Sequence, residues 1–152
     1  VIEENPIFLN ANLLKVDTDG HDFEVLKGAK KLICQNQPTV LFECDLFNND
    51  NYISEMLDVL NIFHEANYSQ AIFYDNHGYL IGKFSIQDNK EIKNLLFYQS
   101  VSKLLYFDVL LINDEFIDVF YKTELEYFIN EISNKKLKQD ISQIFSSFQN
   151  NN

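Results

Sequence analysis

The sequence predicts an α/β fold: a mostly parallel sheet carrying a β-hairpin, followed by C-terminal helices. Three observations lead there. Residues 11–44 read as strand, helix, strand, the order of a βαβ unit, which implies parallel strands. The turn Asp75-Asn76-His77-Gly78 joins two short apolar runs, with Gly where a hairpin loop needs a positive φ. From Glu115 onward the apolar residues recur at helical spacing.

The elements follow in order. Residues 1–10 form an irregular entry segment. Ala11-Asn12-Leu13-Leu14-Lys15-Val16-Asp17 reads as a short apolar strand ending in a carboxylate, and Thr18-Asp19-Gly20-His21 is turn chemistry. Asp22 can cap the next helix, with Glu24 in its first turn; Phe23, Leu26, Ala29 and Ile33 make that helix amphipathic over 22 to about 35. Asn36-Gln37-Pro38 ends it. Thr39-Val40-Leu41-Phe42-Glu43-Cys44 is nearly continuous in apolar character, the mark of a strand covered on both faces. A helix spans roughly 52–66, with Ile53, Met56, Leu57, Leu60 and Phe63 on one face. The hairpin occupies 71–74 and 79–82, a helix 88–102 and a strand 106–112. Leu137, Ile141, Ile144, Phe145 and Phe148 form an apolar stripe near the end, and Asn150 to Asn152 a frayed tail.

Composition narrows the function. The chain has 152 residues, one domain's worth, and a net charge of −11. It contains no Arg, so it lacks the planar fork that clamps phosphate or reads guanine, and its charge repels a nucleic-acid backbone. Nucleic acids and anionic membranes are therefore not expected as partners, and no apolar run is long enough for a membrane span. With only Cys34 and Cys44, no disulfide framework is expected; both read as reduced, semi-buried thiols of a cytoplasmic protein.

The chemistry concentrates in Lys15-Val16-Asp17-Thr18-Asp19-Gly20-His21-Asp22. In open α/β sheets ligands bind outside the carboxyl ends of the strands, and Asp17 and Glu43 end adjacent strands. Carboxylates on such a rim accept a proton, hold a hydroxyl or bind a cation. Asp19 and His21 lie on the adjoining turn; histidine is a residue type suited to general-base work, and His21 also reads as an exposed turn residue. Lys15, a cation within a strand, either snorkels to an edge or pairs with a nearby acid. An EF-hand is excluded, because Gly20 stands fourth from Asp17 rather than sixth. A phosphatase of the haloacid dehalogenase type and a D-x-D glycosyltransferase share the Asp17-Thr18-Asp19-Gly20 run and remain less favoured alternatives.

The longer pattern resembles the FkbM family of S-adenosylmethionine-dependent methyltransferases. It comprises Lys15-Val16-Asp17-Thr18-Asp19-Gly20, then Asp22-Phe23-Glu24-Val25-Leu26-Lys27-Gly28-Ala29, then Pro38-Thr39-Val40-Leu41-Phe42-Glu43. The likeness runs over about residues 11–112, with Asp19 where many members carry Glu. It implies part of a Rossmann-like class I methyltransferase sheet, in which Asp17 ends the fourth strand and Glu43 the fifth. It also implies O-methylation of a hydroxyl on a sugar, polysaccharide or related metabolite, with S-adenosyl-L-methionine as donor. Asp17 would stand nearest the chemistry, and Asp19, His21 and Glu43 would position the acceptor or serve as base. No metal site is assigned. The family's glycine-rich cofactor turn is missing: Gly20, Gly28, Gly78 and Gly82 are the only glycines, and none has that context. Cofactor contacts are thus expected upstream of Val1. Residues 1–132 would be the C-terminal half of a methyltransferase-like domain, inactive alone and dependent on its missing half or on oligomer formation. Residues 133–152 would be an amphipathic helical tail. The competing reading is a non-catalytic α/β scaffold whose 115–148 helices, rich in Phe116, Phe120, Phe128, Phe145 and Phe148, bind another protein.

Overall fold

The computed structural model describes residues 10–47, 49–102 and 106–149, with side chains described as far as Ser146. The chain divides into two compact units, residues 1–117 and 118–152.

In the first unit, β1 (Leu13–Val16), α1 (Asp22–Gly28), α2 (Lys30–Asn36) and β2 (Thr39–Asp45) make the expected crossover, with β1 and β2 parallel. Then follow α3 (Tyr52–Glu65), the hairpin strands β3 (Gln70–Asp75) and β4 (Leu80–Ser85), α4 (Lys90–Val101) and β5 (Tyr106–Leu111). Helix α5 (Asp114–Glu131) starts in this unit and carries the chain into the second, where α6 (Lys135–Gln149) follows. The five strands lie in the order β1-β2-β5-β3-β4.

The sheet is α/β as expected, but it is mostly antiparallel rather than mostly parallel. Only β1 and β2 pair in parallel, while β2–β5, β3–β5 and β3–β4 are antiparallel. The reason lies in the hairpin. β4 adds one reversal between β3 and α4, so α4 delivers the chain to the opposite end of the sheet and β5 runs against both its neighbours. Gly78 takes φ +81° at the turn, as the hairpin requires. Asp75 Oδ1 accepts from the backbone N–H of His77 and of Tyr79, each at 2.9 Å.

One helix assignment changes. The predicted helix over 22–35 is two seven-residue helices that meet at Ala29, where the N–H is shared between the carbonyls of Val25 (2.9 Å) and Leu26 (3.1 Å). Gly28, a poor helix former, precedes the joint. Gln37 closes α2 in the left-handed region at φ 47° and passes its amide N–H to Ala66 O at 2.6 Å. The helical stretch from residue 115 forms two helices, α5 and α6, separated at 132–134, in keeping with the several helices expected there. The entry segment up to Leu9, the tail Asn150 to Asn152 and the side chain of Phe148 lie outside the described residues.

The core gathers one face of the sheet against α1–α4. Val16, Val40, Phe42, Cys44, Phe73, Phe107 and Val109 meet Leu26, Ile33, Met56, Leu60, Phe63, Ile92 and Leu96. Phe42 stacks on Phe63 at 6.4 Å, and Tyr68 meets Phe63 edge-on at 5.2 Å while donating to Pro38 O at 2.5 Å. β2 is not covered equally on both faces as its apolar run suggests. Val40, Phe42 and Cys44 are buried, but Thr39, Leu41, Glu43 and Asp45 on its other face are only partly so. The two thiols also differ from the expectation: Cys34 is exposed and Cys44 fully buried. Burial pushes the Cys44 thiol up to about 12. Its Sγ lies 3.3 Å from the Tyr52 hydroxyl, which donates to Gln99 Oε1, and Gln99 Nε2 donates to Cys44 O at 3.1 Å.

Candidate functional site

The sheet brings its acids to one rim. β1, β2 and β3 run toward it and β4 and β5 away from it, so the rim collects the ends of three strands and the beginnings of two. Glu43 on β2 is paired in register with Asp108 on β5, and Asp108 in turn with Tyr74 on β3. Asp17 directly follows β1, beside Glu43. Tyr106 begins β5 two residues before Asp108, in register with Asp45, and Asp75 ends β3 in register with Phe107.

These groups feel one another electrostatically. Partial burial raises the Glu43 carboxyl above its ordinary value, and the charges of Asp17, Asp108, Asp22 and Asp45 push the same way. Asp108 is also raised, first by burial and further by Asp17 and Asp75, against the opposing pull of Lys15. The Tyr106 phenol is raised by burial and then by Glu43, Asp108 and Asp17. Lys15, which had two possible fates, pairs with an acid: its Nζ donates to Asp17 Oδ2 at 2.5 Å, and this hydrogen bond raises its pKa. Both side chains stay open to solvent, 60% and 47% exposed.

Asp22 plays a different part from a helix cap. It is 2% exposed, and its carboxylate ties the β1–α1 turn to β2. Oδ2 accepts from Thr18 Oγ1 at 2.9 Å and from Thr18 N at 3.3 Å, while Oδ1 accepts from the backbone N–H of Glu43 at 3.3 Å. Three donors satisfy a buried charge that would otherwise be costly.

The four residues singled out by sequence thus fall into two groups. Asp17 and Glu43 share the rim. Asp19 and His21 sit on the exposed turn, Asp19 at φ 49° and His21 bound through Nδ1 to Glu24 Oε2 at 3.0 Å. They line a cavity of about 450 Å³ together with Phe23, Glu24, Phe47, Asn49 and Glu55. Asp108 and Tyr106 were not picked out. Their strand was legible, but a parallel β5 would have put them at the opposite end.

Among the described residues no group of three or more His, Cys, Asp and Glu side chains is arranged to hold a metal ion. Among the described residues no glycine-rich turn of the kind that seats a nucleoside-bearing cofactor follows a strand. Gly20 lies in the β1–α1 turn, Gly28 ends α1, Gly78 makes the hairpin turn and Gly82 lies in β4, so no strand leads into a glycine-rich turn. No helix of the described residues is long and apolar enough to cross a membrane.

The fold is a mixed α/β sheet with Asp17, Glu43 and Asp108 gathered toward one rim. Comparison with known families is more specific: residues 2–70 match the model of the methyltransferase FkbM domain. The match takes in β1, α1, α2, β2 and α3, stops at the first residue of β3, and agrees with the resemblance carried by the Lys15–Glu43 motifs. No curated protein and no solved structure matches the chain.

Proposed function

We propose that the chain provides the acceptor side of a methyltransferase that moves a methyl group from S-adenosyl-L-methionine to a hydroxyl of a sugar, polysaccharide or related metabolite in the cytoplasm. In this reading residues 1–132 act as the C-terminal half of the catalytic domain, the cofactor is held by a segment outside these 152 residues, and the chain alone is inactive. The FkbM match supports the methyltransferase kind of chemistry. The observation that carries the acceptor role is the row Asp17, Glu43 and Asp108 on one face of one rim.

The row suits a hydroxyl. A carboxylate oxygen accepts the hydroxyl's hydrogen bond and fixes its direction, and a carboxylate takes its proton as the oxygen becomes a nucleophile. Glu43 is suited to act as base, because burial and neighbouring acids make it hold a proton more tightly than an ordinary Glu. Asp17, held by Lys15, is the better orienting group. Asp19 and His21 on the adjoining turn are placed to touch more distant parts of an acceptor. The free edge of β1, which among the described residues pairs only with β2, would accept a further strand of the same sheet.

The test uses the intact gene product with labelled S-adenosylmethionine and a panel of hydroxylated acceptors. Transfer that Asp17→Asn abolishes supports the reading. No transfer from the intact product, with partner binding unaffected by Asp17→Asn, would favour a non-catalytic scaffold. Micromolar binding of S-adenosylmethionine to the 152-residue chain alone would refute the division of labour.

A further inference from the structure

The second unit has a packing deficit. It comprises α5 from Asp118 and α6, and among its described side chains, through Ser146, none is buried. Val119 is 71% exposed, Tyr127 59% and Leu137 49%. Leu125, Ile129 and Phe145 face a cavity of about 310 Å³ between the helices, shared with Lys122, Lys138 and Ser142. A two-helix unit of this size buries too little apolar surface to hold itself together. Its exposed Val119, Phe120 and Tyr127 recur at helical spacing, as do Leu137, Ile141 and Ile144 on α6.

Charge indicates what covers it. On α5 from residue 118 stand Asp118, Glu124, Glu126 and Glu131 against Lys122 alone; on α6 stand Lys135, Lys136 and Lys138 against Asp140. The two signs are segregated by helix. A partner with an apolar stripe, a basic helix to lie beside α5 and an acidic helix to lie beside α6 is complementary to this unit. A second copy related by a two-fold axis offers both, because α6 of each copy then lies along α5 of the other. The result is a four-helix layer with its apolar stripes inside and opposite charges paired twice.

We infer that the α5–α6 unit is a homodimerisation element, joining two copies through an α5-to-α6 contact made twice. This is independent of the methyl-transfer reading.

The test measures mass by light scattering across a dilution series at low and high salt. The full chain is expected to run at twice its monomer mass, with dissociation favoured by salt. Val119→Glu with Tyr127→Glu should give a monomer whose far-ultraviolet circular dichroism retains the α/β signal. Lys135→Glu with Lys136→Glu should weaken the dimer by about tenfold or more, and adding Glu126→Lys with Glu131→Lys should restore it. A monomer at every concentration would overturn the inference. So would a dimer indifferent to both sets of substitutions, which would place the contact elsewhere, such as the free edge of β1.

Discussion

Glu43 and Asp108 stand opposite each other on the antiparallel strands β2 and β5, two carboxylates in register on the same face of the sheet. Both are raised from their ordinary values, chiefly by burial. A carboxyl whose pKa is raised on folding stabilises the fold while protonated. That contribution is complete below the unfolded-state pKa and is lost as pH rises through the folded value. Glu43→Gln should therefore stabilise the protein at about pH 7, by on the order of 0.5 kcal/mol once solvent screening is allowed for. The gain should shrink toward about pH 4, where Glu43 is increasingly protonated even in the unfolded chain. Thermal melts of the two proteins across that range check the sign.

Asp22 should be the most sensitive acid of the motif for stability. Asp22→Ala leaves Thr18 N, Thr18 Oγ1 and the N–H of Glu43 without their acceptor in a buried place. A loss of about 2–4 kcal/mol in urea unfolding is expected, and a smaller one for Asp22→Asn, which keeps one acceptor oxygen.

Activity should separate the rim from the turn. In the intact gene product, Asp17→Asn and Glu43→Gln are each expected to lower the methyl-transfer rate by about 10²- to 10⁴-fold. His21→Ala, which removes an exposed side chain bound to Glu24, should change it by less than about tenfold. Steady-state rates of the three variants with one acceptor decide this, and a reversed order would make the turn the catalytic element.

The two cysteines should differ sharply in reactivity. Cys34 is exposed, while Cys44 is fully buried with its thiol pushed up to about 12. A thiol reagent at neutral pH should label Cys34 in the native protein and reach Cys44 only after denaturation. Mass spectrometry of the labelled peptides reads this directly.

The hydroxyl of Tyr52 should matter for stability although it lies on the buried face of the sheet, against Cys44. Tyr52→Phe removes the donor to Gln99 Oε1 and the contact with Cys44 Sγ inside the core. About 1–3 kcal/mol should be lost with these buried contacts. Chemical denaturation with an unchanged slope would confirm a local effect.

Much of this protein could be read along the chain. The strands over Leu13–Val16 and Thr39–Asp45, the helix over Tyr52–Glu65 and the turn at Gly78 come from apolar spacing and turn chemistry, which act over a few residues. So did the placing of Asp17 and Glu43 at adjacent strand ends, which needs only a βαβ crossover. Lys15 left two options open because spacing does not show whether a cation meets an acid or water.

What remained for the tertiary structure was direction and partnership. The hairpin after β3 reverses the chain once more before α4, and that reversal sends β5 back between β2 and β3. Asp108 and Tyr106, which no local pattern linked to residues 17 and 43, arrive at the rim for that reason alone. Asp22 likewise reads as a helix cap, yet its carboxylate reaches the backbone of Glu43, 21 residues further on. Local sequence determines which elements form, because propensity and periodicity are short-range. Strand direction and the neighbours of each charge depend on how all the elements pack into one sheet, and that is settled only when the whole unit closes.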